Sequence, residues 1–114
     1  MEFETREASA GNIVVIQCPE RVDLRVSEEL RSLMKEFVKG NRVFLVVDMG
    51  RTEFMDSTGL GALVSRIAVV RANNGDIRLA AVKDPIRRLL GITNLDQIFQ
   101  CYKDVETAIA SFES

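Results

Sequence analysis

Apolar runs typical of buried strands alternate along this chain with segments whose apolar residues recur at helical spacing. The clearest run, 43–47, holds five consecutive apolar residues inside a predicted strand at 42–49, so that strand needs cover on both faces. Strands are also predicted at 11–18, 77–82 and 98–102, and residues 3–7 form a candidate hairpin partner. Because strands and helices alternate, we expect an α/β domain with a central mixed sheet and amphipathic helices packed against it.

Four segments carry the helical spacing, and each begins at a residue suited to cap a helix. Ser27 is the predicted cap of the first helix, Asp84 with Pro85 of the third, and Asp104 of the fourth. The second helix has three candidate caps at 56–58 and stops at 73–75, and Gly40 or Asn41 ends the first. The inward apolar positions are Leu30, Leu33, Met34, Phe37 and Val38, then Leu60, Leu63, Val64, Ile67 and Val70, then Ile86, Leu89 and Leu90, and last Val105, Ala108, Ile109 and Phe112.

The chain has 114 residues with 46% apolar and 28% charged, a balance that suits one globular domain over 1–114 with a core of about 3–113. A net charge of −2 argues against direct nucleic-acid binding. The apolar runs are too short to span a membrane and the acidic N-terminal segment is no signal peptide, so a cytoplasmic protein is expected. Cys18 and Cys101 are then expected to be reduced thiols in strands.

Histidine is absent from the chain, which excludes Ser–His–Asp and Cys–His catalysis, histidine-ligated zinc and phosphohistidine chemistry.

The unusual segment is 54–61, Phe-Met-Asp-Ser-Thr-Gly-Leu-Gly. It does not match the Asp-Thr-Gly or Asp-Ser-Gly of an aspartic protease, because two residues separate Asp56 from Gly59. The Gly-x-x-x-x-Gly-Lys-Ser/Thr pattern of a phosphate-binding loop is not present either. A nucleophilic Ser57 would need a base, but histidine is absent and Lys83 lies in another segment. Asp48 and Lys83 resemble the phosphate acceptor and the lysine of a response-regulator receiver domain. A receiver also needs an acidic pair after its first strand, and residues 17–20 do not contain one. The alternative that 54–61 is only an ordinary capped helix start, with glycines for packing, remains open.

Residues 56–61, Asp-Ser-Thr-Gly-Leu-Gly, follow a strand that ends in Val-Val-Asp at 46–48, and in this they resemble the STAS family, specifically the bacterial anti-sigma-factor antagonists. The segments 20–23 and 88–95, together with Phe99, match further family marks in part or in full. The resemblance covers about residues 3 to 113. The chain departs from the family pattern at Glu20, where glycine is usual, and at 50–52.

The resemblance implies partner switching, in which Ser57 is phosphorylated by a cognate anti-sigma factor that is also a serine kinase. Thr58 is the second candidate acceptor. The unphosphorylated protein would bind the anti-sigma factor and free the sigma factor, and a PP2C-type phosphatase would restore that state. No catalytic residue, cofactor or metal site is expected. A phosphoserine at a helix start would meet free amide groups and the positive end of the dipole.

The candidate partner-binding residues lie in and near the motif, and most have a competing structural role. For Asp23 and Asp56, helix capping or a solvated surface is as good an explanation as contact with a partner. For Gly59 and Gly61, internal packing is the competing role. Leu60 is expected in the core. Other assemblies, such as a stressosome-like or lipid-transport complex, and a nucleotide-binding module remain alternatives. The candidate residues are Asp23, Met55, Asp56, Ser57, Thr58, Gly59, Leu60 and Gly61.

Overall fold

The structure, a computed structural model, describes residues 2–113. Five strands form its main sheet and two short strands form a second one. The strands are β1 (Glu4–Ala8), β2 (Ile13–Gln17), β3 (Arg21–Val22), β4 (Phe44–Asp48), β5 (Phe54–Met55), β6 (Asp76–Ala80) and β7 (Cys101–Tyr102). The helices are α1 (Leu24–Lys39), α2 (Ser57–Ala72), α3 (Asp84–Ile92) and α4 (Val105–Glu113), with a 3-10 turn at Leu95–Gln97.

The main sheet has the order β1-β2-β4-β6-β7, with β1 antiparallel to β2 and every other neighbour parallel. The predicted mixed sheet in a single α/β domain is therefore confirmed, as is the hairpin at its edge. The last strand, predicted at 98–102, was predicted too long, because the amides of Ile98 and Phe99 donate back to the Leu95 carbonyl and only Cys101–Tyr102 pair with β6.

Both faces of the sheet are covered, as the apolar run at 43–47 predicted. Leu45 and Val47 belong to the large core beneath α1, α2 and α3, whereas Val46 belongs to a smaller core beneath α4. Successive side chains of a strand point to opposite faces, so a strand between two apolar layers needs apolar residues at every position. Ala108 and Ile109 of α4 are buried against the second face.

Two of the predicted helix caps were wrong. Asp23 caps α1, and Ser27 lies one turn inside the helix. Lys83 occupies the cap position of α3 without a side-chain capping bond, and Asp84 is already helical. The prediction for α4 is confirmed, since the Thr107 amide donates to Asp104 Oδ1 at 2.8 Å.

The two cysteines are unpaired thiols in the structure. Cys18 is buried just beyond the end of β2, and this burial, with a smaller contribution from Asp48, raises the pKa of its thiol to about 12. Cys101 is half-buried on β7. Between residues 2 and 113 no helix combines the length and the apolar character that crossing a bilayer would take.

Candidate functional site

The starts of α1 and α2 lie side by side because a pair of two-residue strands leads into them. β3 and β5 pair in parallel, with Arg21 opposite Phe54 and Val22 opposite Met55. The Asp56 amide donates to the Val22 carbonyl at 3.2 Å. Asp23 and Asp56 then occupy equivalent cap positions with nearly the same backbone, φ −96° and ψ −171° against φ −95° and ψ −176°. Two helix N-termini are thus presented at one edge of the molecule.

Asp56 is the most heavily bonded residue of this edge. Its Oδ1 accepts from the Thr58 amide at 2.9 Å, the Gly59 amide at 3.3 Å and the Thr58 hydroxyl at 2.5 Å. The hydroxyl bond is the largest cause of a lowered pKa for the Asp56 carboxyl, and the backbone bonds and the charge of Arg21 act in the same direction. Asp56 is therefore a carboxylate at neutral pH.

The two adjacent hydroxyls of the motif have different surroundings. Thr58 Oγ1 lies 3.0 Å from Ser27 Oγ as well as against Asp56, so it faces the contact between α1 and α2. Ser27 is only 1% exposed and donates to the Asp23 carbonyl at 2.7 Å. Ser57, the first residue of α2, is exposed, and its hydroxyl forms no hydrogen bond within residues 2–113. Ser57 is thus the hydroxyl that another protein can reach.

Three of the predicted partner-binding residues are buried. Met55 and Leu60 are each 4% exposed, and Gly59 is buried as well. A Cβ at Gly59 would lie 2.6 Å from Met55 Cγ and 3.1 Å from Val22 Cγ1. Among the alternatives left open, internal packing therefore explains Gly59, because only glycine lets α2 sit this close to β3 and β5. These three residues shape the motif from within and contribute little surface.

The remaining predicted residues keep a role at the surface or at a cap. Asp23 is half-buried and caps α1, accepting from the Val26 amide at 3.2 Å. Gly61 is half-buried, and a Cβ added at this position would meet Arg31 Nη2 at 3.7 Å, an ordinary van der Waals contact. Contact of Asp23, Asp56, Ser57, Thr58 and Gly61 with a partner stays a prediction.

Two side chains that the sequence did not single out complete this edge. The Arg21 guanidinium stacks on the Phe54 ring with its carbon 4.3 Å from the ring centre, and both side chains are exposed. The sequence does hold a signal for them, because Arg-Val-Asp at 21–23 and Phe-Met-Asp at 54–56 both place an apolar residue and an aspartate before a helix. That repetition would have indicated two equivalent helix starts.

The two residues that resemble those of a receiver domain bond to different groups and not to each other. Asp48 Oδ1 accepts from the Gly50 amide at 2.9 Å, while Lys83 Nζ pairs with Glu53 at 2.9 Å. Within residues 2–113, no three side chains from histidine, cysteine, aspartate and glutamate are grouped to hold a metal ion.

Comparison with known proteins yields a family match across most of the chain. The family model described as the STAS domain matches residues 6–108. The "Anti-sigma F factor antagonist" of Paenibacillus polymyxa is 24% identical over 102 residues, covering 89% of this chain and 87% of that protein. The "Anti-sigma-B factor antagonist" of Listeria monocytogenes is 26% identical over 106 residues, covering 93% of this chain and 91% of the relative.

Solved structures share the fold. The unphosphorylated anti-sigma factor antagonist SpoIIAA superposes with a TM-score of 0.77 at 22% identity, covering 98% of each chain. The phosphorylated form of SpoIIAA from Bacillus gives a TM-score of 0.78 at 22% identity, covering 96% of this chain and 98% of that one. At this identity the likeness establishes the fold alone.

Proposed function

The chain belongs to the STAS domain family, and we propose that it acts as an anti-sigma factor antagonist that phosphorylation of Ser57 switches off. The names of its relatives support the first part of the proposal. The observation that carries the second part is the contrast between the exposed, unbonded hydroxyl of Ser57 and the engaged hydroxyl of Thr58. The protein would be a cytoplasmic binding partner and kinase substrate.

In the unphosphorylated state, the edge around Ser57 offers a partner a neutral, exposed hydroxyl beside the capping carboxylate of Asp56. Phe54, 38% exposed, adds apolar surface to the same edge. The partner would be an anti-sigma factor with serine kinase activity, which would release its sigma factor on binding. A kinase active site would supply the base that deprotonates Ser57, so the absence of histidine from this chain is no obstacle.

Phosphorylation would place a charge of about −1.5 to −2 at the first residue of α2. The sequence led us to expect free amides there, but the Asp56 carboxylate already accepts from the amides of Thr58 and Gly59. The new phosphate would therefore stand beside an ionised carboxylate and remain largely a surface charge. The result is a concentrated negative patch where the partner must make contact.

The size of this effect is sufficient for a switch. Weakening a complex from a Kd of about 1 μM to about 1 mM requires about 4 kcal/mol. A like charge held about 4 Å from the phosphate at an effective dielectric near 20 supplies about that much. Because Ser57 is exposed, the phosphate needs no rearrangement of the core. A PP2C-type phosphatase would remove it and restore binding.

The acceptor assignment is tested with the anti-sigma serine kinase of the same organism and ATP, followed by mass spectrometry of tryptic peptides. We expect one phosphate on the wild type, located at Ser57, and none on Ser57→Ala. Thr58→Val is the matched control, because it removes the neighbouring hydroxyl and should still be phosphorylated. Undiminished phosphorylation of Ser57→Ala would refute the assignment.

A further inference from the structure

Arg31 is an exposed residue of α1 that lies over the first turns of α2. Its Nη2 atom would be 3.7 Å from a Cβ placed at Gly61. The guanidinium group therefore lies beside α2 at Gly61, one turn beyond Ser57.

Arg31 has no hydrogen bond or ion pair within residues 2–113. The arginine on the preceding turns of the same helix, Arg25, is paired with both Glu2 and Glu29. Of the other cations near the motif, Lys83 pairs with Glu53, and Arg21 stacks on Phe54 and acts on the Asp56 carboxylate. Arg31 has no such partner among the described residues, so its guanidinium is available to a new anion.

The geometry brings Arg31 within reach of a group attached to Ser57. Residues four apart on a helix have Cβ atoms about 5–6 Å apart on the same face, so Ser57 lies one turn from Gly61 and its covering guanidinium. Side chains on a helix lean toward its N-terminus. The parallel pairing of β3 and β5 places both N-termini at the same edge, so Arg31 leans toward the turn that carries Ser57.

We propose that Arg31 binds the phosphate of phosphorylated Ser57. A guanidinium group can donate two parallel hydrogen bonds to phosphate oxygens, which gives this pair a defined geometry. The proposal rests on Ser57 being the modified residue. It adds a second effect to the switch, because phosphorylation then removes an unpaired cation from the partner-facing surface as well as adding a dianion to it.

The test is a 31P NMR titration of protein that carries phosphoserine at position 57, installed during synthesis by an expanded genetic code. The second pKa of phosphoserine is about 6, and a nearby cation lowers it by favouring the dianion. We expect the midpoint of Arg31→Gln to lie about 0.5 pH unit or more above that of the protein with Arg31. The matched control is Lys35→Gln, an exposed cation one turn further along α1, which should leave the midpoint almost unchanged.

Equal midpoints for the Arg31→Gln and Lys35→Gln proteins would overturn the proposal. A difference that shrinks as salt is raised would support it further, since screening weakens exposed charge pairs. Because the phosphate is installed without a kinase, the titration and the kinase assay fail independently. An unchanged midpoint refutes the role of Arg31 and leaves Ser57 as acceptor, whereas a failed kinase assay leaves the titration result intact.

Discussion

Ser57 and Thr58 show how two adjacent hydroxyls acquire different roles from their position on a helix. Ser57 is the first helical residue and is exposed to solvent, while Thr58 is turned toward α1 and holds the cap. A hydroxyl bonded to a carboxylate must give up that bond before it can react, and the bond is of the stronger, charge-assisted kind. The proposal of Ser57 as the acceptor thus rests on local hydrogen bonding.

Removal of the Thr58 hydroxyl should cost stability. Thr58→Val deletes a bond to an ionised acceptor, Asp56 Oδ1, and we expect a loss of about 1–2 kcal/mol in the free energy of unfolding, measured by urea denaturation. Ser57→Ala is the control, since it removes an exposed, unbonded hydroxyl and should change that free energy by less than about 0.5 kcal/mol. Equal losses for the two variants would contradict the hydrogen bonds described for this cap.

The lowered pKa of the Asp56 carboxyl predicts a pH dependence with a definite sign. A depressed pKa in the folded state contributes stability above the unfolded value, about 3.9 for aspartate, and that contribution is lost as the pH falls through the folded value. We therefore expect the difference in unfolding free energy between the wild type and Asp56→Asn to shrink as the pH is lowered from about 6 to about 2. A difference that stays constant over this range would show that the charge of Asp56 does not support the fold.

The pairing of β3 with β5 is the element that sets the site, because it aligns the starts of α1 and α2. The sequence predicted both helices but not this pairing. Two-residue strands leave no periodic pattern, and their partners lie 33 residues apart in the chain, Arg21 opposite Phe54. The cap of α1 was predicted wrongly for the same reason. Ser27 is a suitable capping residue by type, whereas Asp23 is placed at the cap position by β3, which the sequence did not predict.

Gly59 and Gly61 should respond in opposite directions to the same substitution. Gly59→Ala forces a Cβ to within 2.6 Å of Met55 Cγ and 3.1 Å of Val22 Cγ1, and overpacking of this kind costs about 1–3 kcal/mol. This cost should exceed the gain in helix propensity. Gly61→Ala meets only Arg31 Nη2 at 3.7 Å, so it should stabilise the protein by about 0.5–1 kcal/mol. Chemical denaturation of both variants checks the signs, and a shift in the same direction for both would show that the packing of Gly59 is not tight.

At the scale of the whole molecule, the sheet with three helices on one face and α4 on the other forms the frame that carries the edge of the proposed modification. The sequence predicted this frame well, because runs such as 43–47 require cover on both faces and the helical spacings supply it. The site was less predictable. The helical spacing predicted the burial of Leu60, whereas burial of Met55 and Gly59 depends on a close approach of α2 to β3 and β5, which no local pattern in the sequence encodes.

The proposed switch requires that one phosphate on an otherwise unchanged frame separate this protein from an anti-sigma factor. The most direct measurement is the calorimetric Kd of the anti-sigma factor for three forms: the unphosphorylated protein, Ser57→Ala, and the protein phosphorylated at Ser57. We predict similar affinities for the first two and a Kd roughly 1,000-fold weaker for the third, which corresponds to about 4 kcal/mol. Equal affinities for the phosphorylated and unphosphorylated forms would contradict the account.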